Sequence, residues 1–342
     1  PKCLSNSCTS SGVLSMFVYI VRRFIYMITT LIFISFIGFF IINLPPGSYL
    51  DVYQAQRQNM GTHTADTELN ALKQRYGLDK PIYVQYWKWV SGFVRGDFGR
   101  SFQYNREVKD LIWERLGYTA VIATTTLIFT WLVAIPIGIY SATHQYKLSD
   151  NIATTIGMTG LSIPDFMLAL VLMVIAQRVF GFSVGGLFSR EYLDAPWSFA
   201  KFVDLLKHLW VPVFVVGTAG TAGLMRIMRG NLLDILNMQY VQAARARGLS
   251  EPVVIVKHAV RNALHPLIML LGMSLPQIIS GSLVVSIVLG LPTTGPLYFN
   301  ALRQQDMFLA GTFLVMLAAM LVIGNFLADM LLAIVDPRIR YE

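Results

Sequence analysis

Tyr240-Val241-Gln242-Ala243-Ala244-Arg245-Ala246-Arg247-Gly248 is a short basic stretch set between two long apolar runs, 208–225 and 265–290. It is too short to be a domain and too patterned to be a plain connector. Ala243, Ala244 and Ala246 repeat through a helix-compatible stretch, and Gly248 supplies a stop, as a glycine just past a helix end commonly does. A new helical run is predicted after Leu249, with Ser250 as N-cap and Pro252 near its first turn. A short helix with a small-residue face, held out of a bilayer by its flanking runs, suits docking into a partner's groove. The chain therefore reads as one part of a larger machine.

Outward from this stretch the composition is that of a membrane protein. Of 342 residues, 55% are apolar and 13% charged, against about a quarter charged in soluble domains. Six apolar runs reach the length of about 20 residues that a bilayer demands. They lie near 16–43, 119–141, 152–180, 208–225, 265–290 and 309–335. The fourth is weakest, because Pro212 and several glycines interrupt it. Membrane helices tolerate such breaks where neighbours satisfy the freed backbone groups. The expectation is an all-α integral membrane protein with six transmembrane helices, and a soluble core is excluded.

Charge orients it. With the N-terminus cytoplasmic, the cytoplasmic segments are 1–23, 142–151, 226–264 and 336–342, carrying 12 Lys/Arg against 5 Asp/Glu. The external 44–118 segment is almost neutral, with 10 basic and 8 acidic residues. The net charge of +8 is thus read as positive-inside topology. Nucleic-acid binding would want a basic patch on a soluble face, and none is indicated. The first apolar run is too long for a signal-peptide core. Residues 1–15 read as a disordered tail, with Cys3 and Cys8 reduced rather than bridged or metal-bound.

Asn43-Leu44-Pro45-Pro46-Gly47 is an exit and turn from the first run. Thr67–Tyr76 is helix-compatible, and Ile82–Val94 is an aromatic-rich helical run containing Tyr83, Tyr86, Trp87, Trp89 and Phe93. Its rings suit the membrane–water boundary, with a carbohydrate- or peptide-binding platform as the alternative. Gly96-Asp97-Phe98-Gly99 is a further turn, and Val108–Arg115 leads into the second span. The other external loops are 181–207 and 291–308, the latter opening on the turn cluster Leu291-Pro292-Thr293-Thr294-Gly295-Pro296.

Motifs spread along the chain carry a resemblance. They are Tyr19-Ile20-Val21-Arg22-Arg23, Leu44-Pro45-Pro46-Gly47, Tyr76-Gly77-Leu78-Asp79-Lys80-Pro81, Gln85-Tyr86 and Gly96-Asp97-Phe98-Gly99-Arg100-Ser101-Phe102. Ser162-Ile163-Pro164, residues 240–250, His258-Ala259-Val260-Arg261-Asn262-Ala263-Leu264-His265-Pro266 and Asp336-Pro337-Arg338-Ile339-Arg340 complete the set. In this order the chain resembles the permease subunit of bacterial binding-protein-dependent ABC importers, in the oligopeptide/dipeptide class, and most resembles the first (B-type) of that system's two permeases.

The resemblance implies the type I ABC importer transmembrane fold in a bacterial inner membrane, with both termini cytoplasmic. Residues 119–335 would hold helices 2–6, including a cytoplasmic coupling loop within 226–264, and 336–342 a cytoplasmic tail. The implied partners are a homologous second permease, one or two cytoplasmic ATPase subunits, an extracytoplasmic solute-binding protein and the lipid bilayer. ATP and Mg belong to the ATPases, and this chain carries no cofactor. Tyr240, Gln242, Ala243, Ala244, Arg245, Ala246, Arg247, Gly248 and Leu249 would form the ATPase-coupling segment. The family's loop often opens Glu-Ala-Ala, and Gln242 stands in place of that acid. Arg245, Arg247, Lys257 and Arg261 are either contacts to the ATPase or lipid phosphates, or positive-inside determinants only.

Two further departures bear on cargo. Ser286 replaces a glutamate that the family usually has near the end of the fifth helix, and Thr293 replaces a glycine. The loss of the acid tilts towards a neutral cargo such as a short oligosaccharide, beside the peptide that the class implies.

The chain has no Gly-x-x-x-x-Gly-Lys-Ser/Thr phosphate cradle, no His-Glu-x-x-His and no Cys-x-x-Cys. It is therefore read as no enzyme, with the energy supplied by another chain. His258 and His265, seven apart, are an interfacial pair before they are a metal pair. Asp165, just after Pro164, and Asp329, one turn from Asn325, either line a passage or hydrogen-bond a neighbouring helix. A membrane-embedded enzyme would need ionisable pairs around one cavity. A gradient-driven secondary transporter would show inverted repeats, and none stands out.

Overall fold

The computed structural model describes residues 7–43, 80–101, 103–181, 184–193, 195–274, 276 and 282–335. The turn at 44–47, the helix-compatible 67–76, the motif over 76–79, Cys3 and the tail 336–342 lie outside the described residues.

The described chain is helical. In order it holds α1 (Ser7–Ile42), α2 (Ile82–Val94), α3 (Val108–Thr143), α4 (Leu148–Ser162), α5 (Asp165–Ile175), α6 (Phe199–Leu236), α7 (Gln239–Ala246), α8 (Glu251–Ala263), α9 (His265–Met273), α10 (Leu283–Val288), α11 (Thr294–Arg303) and α12 (Met307–Val335). Four of these, α1, α3, α6 and α12, are long and apolar enough to cross a membrane. The count rises to six if the bent pairs α4 with α5 and α8 with α9 are each one span. This is an all-α, multi-pass membrane fold. The backbone is helical from Ser7, inside the stretch read as a tail.

Pro164 explains the break between α4 and α5. It forces the preceding Ile163 into an extended conformation, with ψ 123°, and α5 restarts at Asp165 at an angle of 98°. Pro212 does not break its run, as expected where neighbours satisfy the freed backbone groups. It sits inside an unbroken 38-residue helix, α6. A proline there removes one backbone hydrogen bond, but Leu205, Leu209, Val211, Val213 and Val215 around it are all buried and hold the helix together. The weak fourth run is thus a central helix, and it starts inside the segment read as the 181–207 loop. Ser198 caps it, accepting from the backbone N–H of Lys201 at 3.2 Å. The segment 291–308 is likewise not all loop, since it holds α11.

The chain divides into two compact units, Pro1–Gly117 with Thr294–Phe326, and Tyr118–Thr293 with Leu327–Glu342. In the first, α2 turns Tyr86, Trp89 and Phe93 inward. Trp89 lies 5.3 Å from Phe39 and 4.8 Å from Phe93 between ring centres, and the Tyr86 hydroxyl meets Ser35 Oγ at 2.8 Å. Tyr83 and Trp87 face out, so the aromatic run is split between packing and surface. Asp306 caps α12, its Oδ1 accepting from Leu309 N at 3.2 Å. Its other oxygen accepts from the buried Ser101 hydroxyl at 2.5 Å.

In the second unit α6 is the hub, and small residues bring its neighbours close. A β-carbon on Gly217 of α6 would lie 2.5 Å from Phe129 of α3, and one on Gly157 of α4 would lie 2.7 Å from Met225 of α6. The segment 184–198 is fastened to the start of α6 by charge. Ser189 donates to Asp204 through both its backbone N–H and its hydroxyl, each at 2.7 Å. The Lys201 ammonium donates to Ala195 O at 2.6 Å and lies 5.0 Å from the centre of the Phe188 ring.

Candidate functional site

The basic stretch folds as α7, joined to α6 by two residues. Val241 and Ala244, three apart, are its buried face, and they pack into a cluster with Leu232, Ile235, Val254, Ala263 and Leu267. Ala243, Ala246 and Arg247 are exposed on the other side. The alanine pattern therefore divides: Ala244 anchors the helix to its own chain, and Ala243 with Ala246 form the outward small-residue face.

Side chains fix its geometry. Asn262 Nδ2 of α8 donates to the Tyr240 hydroxyl at 2.7 Å, and Gln242 Nε2 donates to Leu236 O at 3.2 Å. Arg245 Nε donates to Glu251 at 2.7 Å, across the turn that ends the helix. Arg245 is thus engaged within the chain, whereas Arg247, Lys257 and Arg261 are exposed. Gly248 has φ +77°, and its N–H donates to Arg245 O at 2.9 Å, so the stop is a left-handed glycine. Leu249 is exposed just beyond it. Ser250 holds the extended backbone of an N-cap, with Pro252 in the first turn of α8, but its side chain makes no cap hydrogen bond. A π-helical turn over Val254–Val260 follows within α8, carrying His258.

One charge clamp on α6 has no simple sequence signal, because its partners are 79 residues apart. Arg229 on α6 donates to both carboxylate oxygens of the buried Asp150, at 3.1 and 2.8 Å. Ser141 of α3 also donates to Asp150, as does the Tyr146 N–H at 3.1 Å. The guanidinium holds the Asp150 carboxyl well below the usual carboxylate range, with the Ser141 and Tyr146 hydrogen bonds adding to it.

Asp165 and Ser286 meet at one cavity. It has a volume of about 510 Å³ and is lined from α3, α5, α6, α9 and α10, with Thr126, Thr130, Ser274 and Thr293 among its polar residues. Ser286 is buried at the wall, its carbonyl accepting from Leu291 N at 2.8 Å. Asp329 is not among the residues that line it. Its half-buried position on α12 includes an interaction of its own.

The family model described as "Binding-protein-dependent transport system inner membrane component" matches residues 134–341, and the N-terminal membrane component of the same systems matches 16–123. The chain is 36% identical over 328 residues to the oligopeptide transport system permease protein AppB of Bacillus subtilis (strain 168), covering 95% of this chain and 100% of that one. It is 28% identical over 324 residues to the glutathione transport system permease protein GsiC of Escherichia coli (strain K12), covering 95% and 99%. A solved inward-facing structure of the MetNI methionine ABC transporter aligns with 66% of this chain and 96% of its own, at 15% identity and a TM-score of 0.49.

ATP hydrolysis in such a system belongs to partner ATPase subunits, which work with a second permease and a solute-binding protein. This chain is the membrane component and not the hydrolysing one. It belongs to the binding-protein-dependent transport system inner membrane component family, as the transmembrane permease half of a bacterial ABC importer.

Proposed function

We propose that this chain is the first (B-type) permease of an importer for short peptides, with six spanning helices, both termini cytoplasmic, and α7 as the helix that docks on the ATPase. The observation that carries the reading is the two-sidedness of α7. Its Val241–Ala244 face is locked into the cluster at the C-terminal end of α6, and its Ala243–Ala246 face is open. A small-residue face lets another backbone approach closely. An anchored inner face makes the helix a lever, because a push on its outer side moves α6 and α8 with it.

In this reading ATP binding closes the ATPases, α7 moves with them, and the passage turns from inward- to outward-facing. The partner must bind the two states with different affinity for that to happen. Asp165 and Ser286, which line the cavity between α3, α5, α6, α9 and α10, are taken in this reading as pathway residues. Peptide cargo is supported by the relatives, whose names specify oligopeptide and glutathione transport. A short oligosaccharide is the second reading, favoured by Ser286 in the place of an acid.

The test is ATP hydrolysis by the complete importer in lipid, with the binding protein loaded in turn with peptides and with oligosaccharides. Stimulation by peptides supports the proposal. Stimulation by sugars alone transfers it to the second reading, and no stimulation by any cargo overturns both.

A further inference from the structure

The 510 Å³ cavity has a chemistry more specific than a neutral path. Among the residues that line it, Asp165 is the single ionisable side chain. Among the described residues nothing pairs with its carboxylate. Among the described residues no Lys, Arg or His lines the wall. Two hydroxyls on the same wall are also short of partners. Thr126 and Thr293 are more than nine-tenths buried, and neither Oγ1 finds a hydrogen bond among the described residues. Buried polar groups in folded proteins are nearly always satisfied, and exceptions ask for a reason. Here two buried hydroxyls without partners and one half-buried, unpaired carboxylate share one space, and that pattern points to something that enters it.

From this we infer that the cavity is a transit site for a cargo bearing a free ammonium group. The Asp165 carboxylate takes the ammonium, while the hydroxyls of Thr126, Thr293 and Ser286 meet the cargo's amide groups. A lone carboxylate inside a membrane cavity is compensated by a cation better than by any neutral group, since burying a charge without a counter-charge is costly. An ammonium also brings three donors to an acceptor-only group. Hydroxyls donate and accept, so they serve N–H and C=O alike and hold neither tightly, as a site that must release its cargo requires. An anionic cargo meets the one charge of the wall as repulsion. The ammonium can be the N-terminus of a peptide or a lysine side chain, and the chemistry is the same.

The inference rests on the reading of this chain as a permease that lines a passage, and its test is made separate from transport. The complete importer, without binding protein, is examined by saturation-transfer NMR with three small probes. These are alanyl-alanine amide (terminal ammonium), N-acetyl-lysine amide (side-chain ammonium) and N-acetyl-alanyl-alanine amide (neutral).

The expected result is at least a threefold stronger response from both ammonium probes than from the neutral one. Asp165→Asn should abolish that preference, and Asp165→Glu should keep it. A response to the terminal ammonium alone narrows the ligand to a peptide N-terminus. Equal responses from all three probes, or a preference that survives Asp165→Asn, overturn the inference. Uptake of trialanine by the complete importer is measured beside it. Uptake without ammonium preference leaves the peptide reading standing and removes this site, and preference without uptake does the reverse.

Discussion

Arg229 and Asp150 form a two-pronged ion pair, Nη2 and Nε lying 2.8 and 3.1 Å from the two carboxylate oxygens, that ties the head of α4 to α6. Asp150 is almost wholly buried, and the Arg229 side chain is 27% exposed. Removing one partner strands the other, at a cost of about 3 kcal/mol. Asp150→Ala is therefore expected to lower the thermal midpoint of the detergent-solubilised protein by several degrees. Arg229→Lys, which cannot reproduce the paired geometry, should fall between. An unchanged midpoint for Asp150→Ala would show the pair to be energetically idle.

The same pair sets a pH dependence. The Asp150 carboxyl titrates well below its unfolded value because the guanidinium and two further donors favour its charged form. A depressed folded value means that the stabilisation is complete above the unfolded value, about 3.9, and is lost as pH falls towards the lower folded one. Between pH 7 and 5 the pair should contribute a constant amount, and below about pH 4 the wild-type advantage over Arg229→Gln should shrink. Melting curves of the two proteins at pH 7, 5 and 3.5 check this.

Gly248 can be probed without steric confusion. Nothing lies within 4 Å of where its β-carbon would sit, so a β-carbon there meets only the cost of φ +77°. That cost is about 1–2 kcal/mol for an L-residue, local to the turn after α7. Gly248→Leu is expected to abolish cargo-stimulated ATP hydrolysis while the partner subunits still co-purify. Uptake at the wild-type rate would remove α7 from the coupling role.

Gly99 is constrained twice over. It has φ +81°, and a β-carbon would lie 2.5 Å from the ring of the buried Phe308. Gly99→Ala should destabilise by more than about 2 kcal/mol, conformational strain and overpacking adding. Gly99→Ala with Phe308→Leu should recover part of that loss. Absence of any recovery in thermal unfolding would mean that the ring contact is not what limits the site.

Asp306 gives a prediction of another kind. It accepts from Ser101, Gln103 N and Leu309 N, and so both caps α12 and fastens the Gly99–Tyr104 turn. Asp306→Ala loses the cap, worth about 1 kcal/mol, and leaves the buried Ser101 hydroxyl without its acceptor, a further 1–3 kcal/mol or so. Ser101→Ala, which removes a donor but keeps the cap, should cost roughly half as much. Equal losses would place the weight on the hydroxyl and not on the cap.

Hydropathy and periodicity made the spanning helices, the basic stretch and its stop visible, because lipid forces long apolar helices and a glycine signals a turn. The aromatic helix at Ile82–Val94 is placed by the same logic. Which of its rings pack and which face out is not, since Trp87 and Trp89 differ only in what lies opposite them. Pro212 shows the same limit: its run was legible as a span that tolerates a breaker, but how far α6 extends on either side depends on burial that no local window contains.

In α7 the chain alone set the helix and its end, through residues within one or two turns of each other. Only the packed structure decided that Ala244 turns inward and Ala243 outward, and that Arg245 is taken up by Glu251. Only packing brought Asp150 to Arg229, and Asp165 to Thr126 and Ser286 around one cavity. Short-range preferences are written in neighbouring residues. Ion pairs and cavities depend on distances between segments far apart in the chain, and those distances exist only once the helices have packed.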